Sequence, residues 1–200
     1  MTIDHIGAFF MKENEMLRII GRVAFPLYAY FITQGYRYTR NLKKYAMNLL
    51  VLAVIIHIPS LFGVGIGAYN VIFTLFLGLI AIILIDKPFD KLMKIAGLLC
   101  ICLLFLIFPF EYGFYGLVTV LMFHYFEKYK LLVAHMAINI LFVSAITPYQ
   151  MHFTQVYAIG SSLFILYAHL LPNIKINKTF YWLFYPVHLF LLYFISTIVS

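Results

Sequence analysis

An all-α, polytopic transmembrane bundle is the fold class that this sequence predicts, and three observations lead to it. The 200 residues are 64% hydrophobic and only 10% charged, whereas a soluble domain carries roughly a quarter charged residues. The mean hydropathy is +0.98. The charged residues also fall in short clusters between long apolar runs. This excludes a disordered chain, a secreted disulfide scaffold and a nucleic-acid module. The net charge of +7 then reports orientation and contact with anionic lipid.

About 20 apolar residues are needed to cross the hydrocarbon core. Scanning at that length predicts eight spans, near 18–37, 45–62, 68–86, 93–109, 112–127, 131–147, 153–172 and 179–199. The first ends at Arg37–Arg40, the second begins after Lys43-Lys44, and the third closes on Asp86-Lys87-Pro88. The fourth stops at Pro109, the short fifth runs up to Lys128, and the sixth meets Pro148. The seventh ends at Pro172-Asn173, and the eighth follows Lys175 and Lys178. No connection is long enough for a soluble domain, so residues 1–200 form a single membrane domain.

The apolar stretch 1–10 is too short to cross and reads as an N-terminal half-helix. One reading places its other half upstream, with Met1 an internal methionine; the other makes it a re-entrant or interfacial segment. No cleavable leader is visible at this end. Cys100 and Cys102 lie two apart in an apolar run, where neighbours do not share a helix face. They read as small hydrophobes.

Basic residues occupy alternate loops. Arg37, Arg40, Lys43 and Lys44, then Lys87, Lys91 and Lys94, then Lys128 and Lys130, then Lys175 and Lys178 make eleven of the fourteen. The intervening loops near 63–67, 109–112 and 148–152 contain none. The positive-inside rule places the basic loops in the cytoplasm and the C-terminus outside.

Ionisable groups inside spans are costly and therefore functional candidates. With this topology Asp4, His5, Arg18, Arg22, His57, Asn70 and Glu111 all fall toward the outer side and converge on an outward-facing cavity. Arg22 lies four residues, roughly 6 Å, deeper than Arg18 on the same helix face. His188, after the interrupting Tyr185-Pro186, sits near mid-membrane, either hydrogen-bonded to a neighbouring helix or facing the cavity. His124, His135 and His169 lie toward the inner side and read as structural, and His152 as solvated. Histidine is the usual general base, with an unperturbed pKa near 6.5. His5 is thus a base tuned by Asp4 through water or electrostatics, or the two are a solvated terminal pair. No metal-ligand spacing occurs.

Six ordered blocks resemble the TraX family. They are Asp4-His5-Ile6-Gly7, Leu17-Arg18-Ile19-Ile20-Gly21-Arg22-Val23-Ala24-Phe25-Pro26, Gln34-Gly35-Tyr36-Arg37-Tyr38-Thr39-Arg40, Tyr69-Asn70-Val71-Ile72-Phe73-Thr74, Glu111-Tyr112-Gly113-Phe114-Tyr115-Gly116 and Phe184-Tyr185-Pro186-Val187-His188-Leu189. The resemblance covers nearly the whole chain. It implies a membrane-embedded acyltransferase of the bacterial cytoplasmic membrane, moving an acetyl group from acetyl-coenzyme A to an amine or hydroxyl of an extracytoplasmic protein or glycan, such as a pilin N-terminus. It also implies His5 as catalytic base, with Asp4 tuning it and Arg22 stabilising the oxyanion. Arg37, Arg40, Lys43 and Lys44 are the expected site for the cofactor phosphates, although any cytoplasmic loop carries such residues. Asn70, Glu111, Tyr185 and His188 are expected to shape the acceptor site. The competing classes are a non-catalytic assembly factor and a transporter; the latter would often show inverted repeats and paired broken helices, which are not evident.

Overall fold

The computed structural model describes residues 15–61, 69–144 and 151–168, together with Ile6, Phe184, Val187, His188, Leu191, Phe194 and Ile195. The described elements are helices α1 (Glu15–Arg22), α2 (Ala24–Tyr38), α3 (Leu42–Leu61), α4 (Val71–Asp86), α5 (Lys91–Ile107), α6 (Gly113–Tyr125), α7 (Lys128–Val143) and α8 (Gly160–Tyr167). A 3-10 segment, Phe153–Ile159, leads into α8. Among the described residues there is no strand, only one isolated bridge between Tyr69 and Phe110. The all-helical expectation therefore holds. The predicted half-helix 1–10 and the eighth span lie outside the described residues, apart from single positions.

Local chemistry explains the ends of these helices. Pro26 falls in the first turn of α2, where a missing N–H costs nothing because no intrahelical acceptor precedes it. That start separates α2 from α1 at Val23. Asn70 caps α4 by accepting from Ile72 N–H at 3.1 Å, and Asp90 caps α5 by accepting from Met93 N–H at 2.9 Å. Lys94 Nζ donates to the Ile85 carbonyl at 2.6 Å, placing a cation against the negative end of α4. The reversal between α5 and α6 needs Tyr112 at φ 62° and Gly113 at φ 40°.

Helix α4 is the central element: Val71, Ile72, Thr74, Leu75, Leu77, Gly78, Leu79, Ala81 and Ile82 are all buried. It packs against α3, α5, α6 and α2. The approach to α6 is close because Gly116 has no side chain; a Cβ there would meet Thr74 Cγ2 and stand 3.1 Å from Phe25 Cζ. Helix α5 is peripheral, exposing Leu92, Ile95, Leu99, Leu103 and Leu106, and it carries the unbonded Cys100 and Cys102.

The continuous stretch Glu15–Tyr38, of 24 residues, is long and apolar enough to cross a membrane. Val71–Asp86, Gly113–Tyr125 and Phe153–Tyr167 are apolar but shorter. At 1.5 Å per residue, a helix of thirteen residues extends only about 20 Å against a hydrocarbon core of about 30 Å.

Candidate functional site

The turns between α2 and α3, α4 and α5, and α6 and α7 meet at one end of the bundle. Arg37 Nη1 lies 3.3 Å from Glu127 Oε1, and its Nη2 donates to the His124 carbonyl at 2.7 Å. His124 Nε2 lies 2.8 Å from Asp86 Oδ2, and the Tyr125 hydroxyl donates to Asp86 Oδ1 at 2.9 Å. Three of the four predicted basic loops are therefore gathered together, as alternation of charge along the chain requires.

The opposite end is built from backbone-directed polar contacts. Glu111 Oε2 accepts from Val71 N–H at 2.9 Å, setting a carboxylate at the positive N-terminus of α4. The Glu111 carbonyl accepts the Thr74 hydroxyl at 2.6 Å, and its N–H donates to the Tyr69 carbonyl at 2.9 Å. Asn70 Nδ2 donates to the Ala53 carbonyl at 2.8 Å, tying α4 to α3. Tyr112 stacks on Phe25 with ring centroids 3.9 Å apart, which holds its left-handed backbone, uncommon for a bulky residue, in place. His57 stacks on Tyr69 at 4.6 Å.

One turn further along α6, polar groups enter the core. Tyr115 is only 1% exposed, and its hydroxyl donates to Asn139 Oδ1 at 3.0 Å while accepting from Gln155 Nε2 at 2.9 Å. His135 Nε2 lies 3.5 Å from the same hydroxyl, and His135 Nδ1 lies 2.7 Å from Ser162 Oγ. Asn139 Nδ2 donates to the His135 carbonyl at 2.9 Å. The guanidinium of Arg22, at the end of α1, is within electrostatic range of Tyr115. Arg22 Nε, a donor, and Gln155 Oε1, an acceptor, are both buried with no hydrogen-bond partner among the described residues. Buried polar atoms are almost always paired, which makes Arg22 Nε and Gln155 Oε1 candidates for contact with a polar group.

The structure brings together several of the residues predicted from sequence and separates others. Arg22, Asn70 and Glu111 stand toward one end, with Asn70 and Glu111 both engaged by backbone groups. His188 is buried, its Nδ1 2.6 Å from the Phe184 carbonyl. Asp4, His5 and Tyr185 lie outside the described residues. Arg40, Lys43 and Lys44 are exposed, while Arg37 is engaged by Glu127 and the end of α6. The core network of Tyr115, Asn139, His135, Gln155 and Ser162 was not singled out by sequence reasoning. Its one signal was spacing: His135 and Asn139 are four apart on one face of an apolar helix.

The fold and site define an all-helical protein whose apolar bundle holds a buried hydrogen-bond network around Tyr115. The profile of the TraX protein family matches residues 1–196, and the chain belongs to that family. It is 27% identical over 219 aligned residues to a Dichelobacter nodosus protein described as probable fimbrial assembly protein FimC, serogroup H1, covering 96% of this chain and 89% of that one. A shorter similarity, 38% over 58 residues, links 29% of the chain to 21% of an uncharacterised protein of Rickettsia prowazekii (strain Madrid E). No solved structure matches.

Proposed function

We propose that this protein is an acyltransferase of the bacterial cytoplasmic membrane acting in pilus or fimbrial assembly, with eight spans, the basic end in the cytoplasm and the C-terminus outside. The observation that carries the chemistry is the buried Arg22 Nε without a partner. A cationic donor whose Nε is shielded from solvent is suited to negative charge that develops during reaction. Membership of the TraX family and the fimbrial-assembly description of the relative support the setting.

In this reading the acceptor amine or hydroxyl attacks the thioester carbonyl of acetyl-coenzyme A. His5, tuned by Asp4, takes the acceptor's proton, and Arg22 stabilises the oxyanion. Collapse expels the coenzyme A thiolate, which regains the proton from the imidazolium. A route through acetyl-His5 gives the same products. Arg40, Lys43 and Lys44, exposed at the basic end, and Arg37 beside them receive the donor's phosphates. Asn70 and Glu111 fix the α4 N-terminus beside the acceptor, and Tyr185 and His188 border it.

The test is transfer of labelled acetyl from acetyl-coenzyme A by the purified protein in lipid vesicles, with a panel of amine and hydroxyl acceptors. Loss of the general base in His5→Ala should lower the rate by roughly 10²–10⁴, and Arg22→Gln by roughly 10²–10³. No transfer by the wild type with any acceptor would overturn the enzymatic reading and favour a non-catalytic assembly factor, the alternative suggested by the relative's description. A transporter would instead move a solute with His5→Ala still active.

A further inference from the structure

A groove of about 600 Å³ opens on the outside of the bundle between α3 and α4, at the basic end. Its two walls are stripes at helical spacing. On α3 the stripe is Lys43, Ala46, Met47 and Leu50; on α4 it is Phe76, Ile80, Ile83 and Lys87. Positions three and four apart share a helix face, so each wall is an apolar strip ending in a lysine. The two helices run antiparallel, which brings Lys43, near the start of α3, and Lys87, just past the end of α4, to the same mouth. From Lys43 to Leu50 the strip extends about 10 Å along the helix.

We infer that this groove binds one anionic phospholipid, with an acyl chain along the Ala46–Leu50 and Phe76–Ile83 strips and the phosphate between Lys43 and Lys87. Charge complementarity selects this occupant. Both lysines are exposed, and neither has an ion pair among the described residues. The acids nearest in sequence are turned to other partners: Asp86 to His124 and Tyr125, and Asp90 to Met93 N–H. Long basic side chains lie along apolar surface and carry their charge to the headgroup level, and basic pockets between helices on the cytoplasmic side suit anionic headgroups. A second copy of the chain would set its own lysines against these two. The volume falls in the range of about 300–1,000 Å³ typical of small-ligand sites, and the strips have no hydrogen-bond partner to offer a polar ligand. The inference does not depend on acyl transfer, since the apolar strips lie on the outer face of α3 and α4; it does draw Lys43 away from the donor's phosphates, which Arg37, Arg40 and Lys44 then hold.

The experiment is native mass spectrometry of the full chain released from detergent, after equilibration with equal amounts of phosphatidylglycerol and phosphatidylcholine of identical chains. The expected result is one tightly held lipid, with phosphatidylglycerol favoured at least fivefold. That preference should disappear in Lys43→Gln/Lys87→Gln and persist in Lys130→Gln, which removes a charge at the same end but away from the groove. Ala46→Trp should reduce retention of both lipids by filling the apolar strip. Thermal melting in detergent checks that each variant is folded. Equal retention of the two lipids by the wild type, or an undiminished preference in the double lysine variant, overturns the inference. So does displacement of the lipid by inorganic phosphate alone, which would mean that the lysines hold an anion without its chain.

Discussion

The two ends of this bundle are held by different chemistry. At the basic end the helix turns are joined by charged side chains at the surface: the Arg37–Glu127 pair is 33% and 69% exposed in its side chains. Toward the opposite end, and below it in the core, the contacts are neutral or partly buried hydrogen bonds aimed at backbone groups or at the Tyr115 hydroxyl. Exposed pairs contribute roughly 0–1 kcal/mol because water and salt screen them. A buried group deprived of its partner loses about 1–3 kcal/mol. The basic end therefore gathers charge at one end of the bundle, while the Tyr115 region determines how α6, α7 and the Phe153–Tyr167 segment fit together.

The sharpest way to break this contrast is Tyr115→Phe. It strands the Asn139 carbonyl oxygen and the Gln155 amide, each at a cost of about 1–3 kcal/mol, and should produce the largest fall in melting temperature of the purified protein in detergent. A smaller fall than that of any surface variant would show that water satisfies these groups instead. Next is Glu111→Ala, which removes a charged acceptor from Val71 N–H and from the positive end of α4, at roughly 1–2 kcal/mol. Amide hydrogen exchange should then quicken first at Val71 and Ile72; uniform protection would overturn the capping role. The smallest effect belongs to Arg37→Ala, about 1 kcal/mol or less, and its difference from wild type should shrink as salt is raised to 1 M, where the screening length falls to about 3 Å. A salt-independent loss would move this end into the same class as the core.

The legibility of the sequence divides along the same line. The turns at Arg37, Lys87 and Lys128 are legible because alternate connections of an up-and-down helical bundle return to the same end. Asn70 and Glu111 were readable as polar residues near span ends, but their partners were not. A helix N-terminus offers unpaired N–H groups to any nearby acceptor, and which acceptor arrives depends on how the α5–α6 turn folds back against Tyr69. His135 was read as an inner-side structural residue. The structure gives it a place in the buried network, reached through Ser162 and Asn139, which are distant or one turn away in sequence. The predicted span 112–127 is short, and the helix it contains, Gly113–Tyr125, is shorter still.

Composition and charge pattern alone were enough to determine the helical class, the order of the apolar segments and the gathering of three basic turns at one end of the bundle. These are properties of single segments, fixed by backbone hydrogen bonding and by the cost of placing charge in an apolar phase. Family membership was likewise written in six local blocks. Only the tertiary structure decided that Tyr115, Asn139 and Gln155 share one buried network, and that Lys43 and Lys87 stand at the mouth of one groove. Those relations join residues tens of positions apart, and they depend on which faces of α3, α4, α6 and α7 pack together, a choice that nearly uniform apolar helices do not reveal by periodicity.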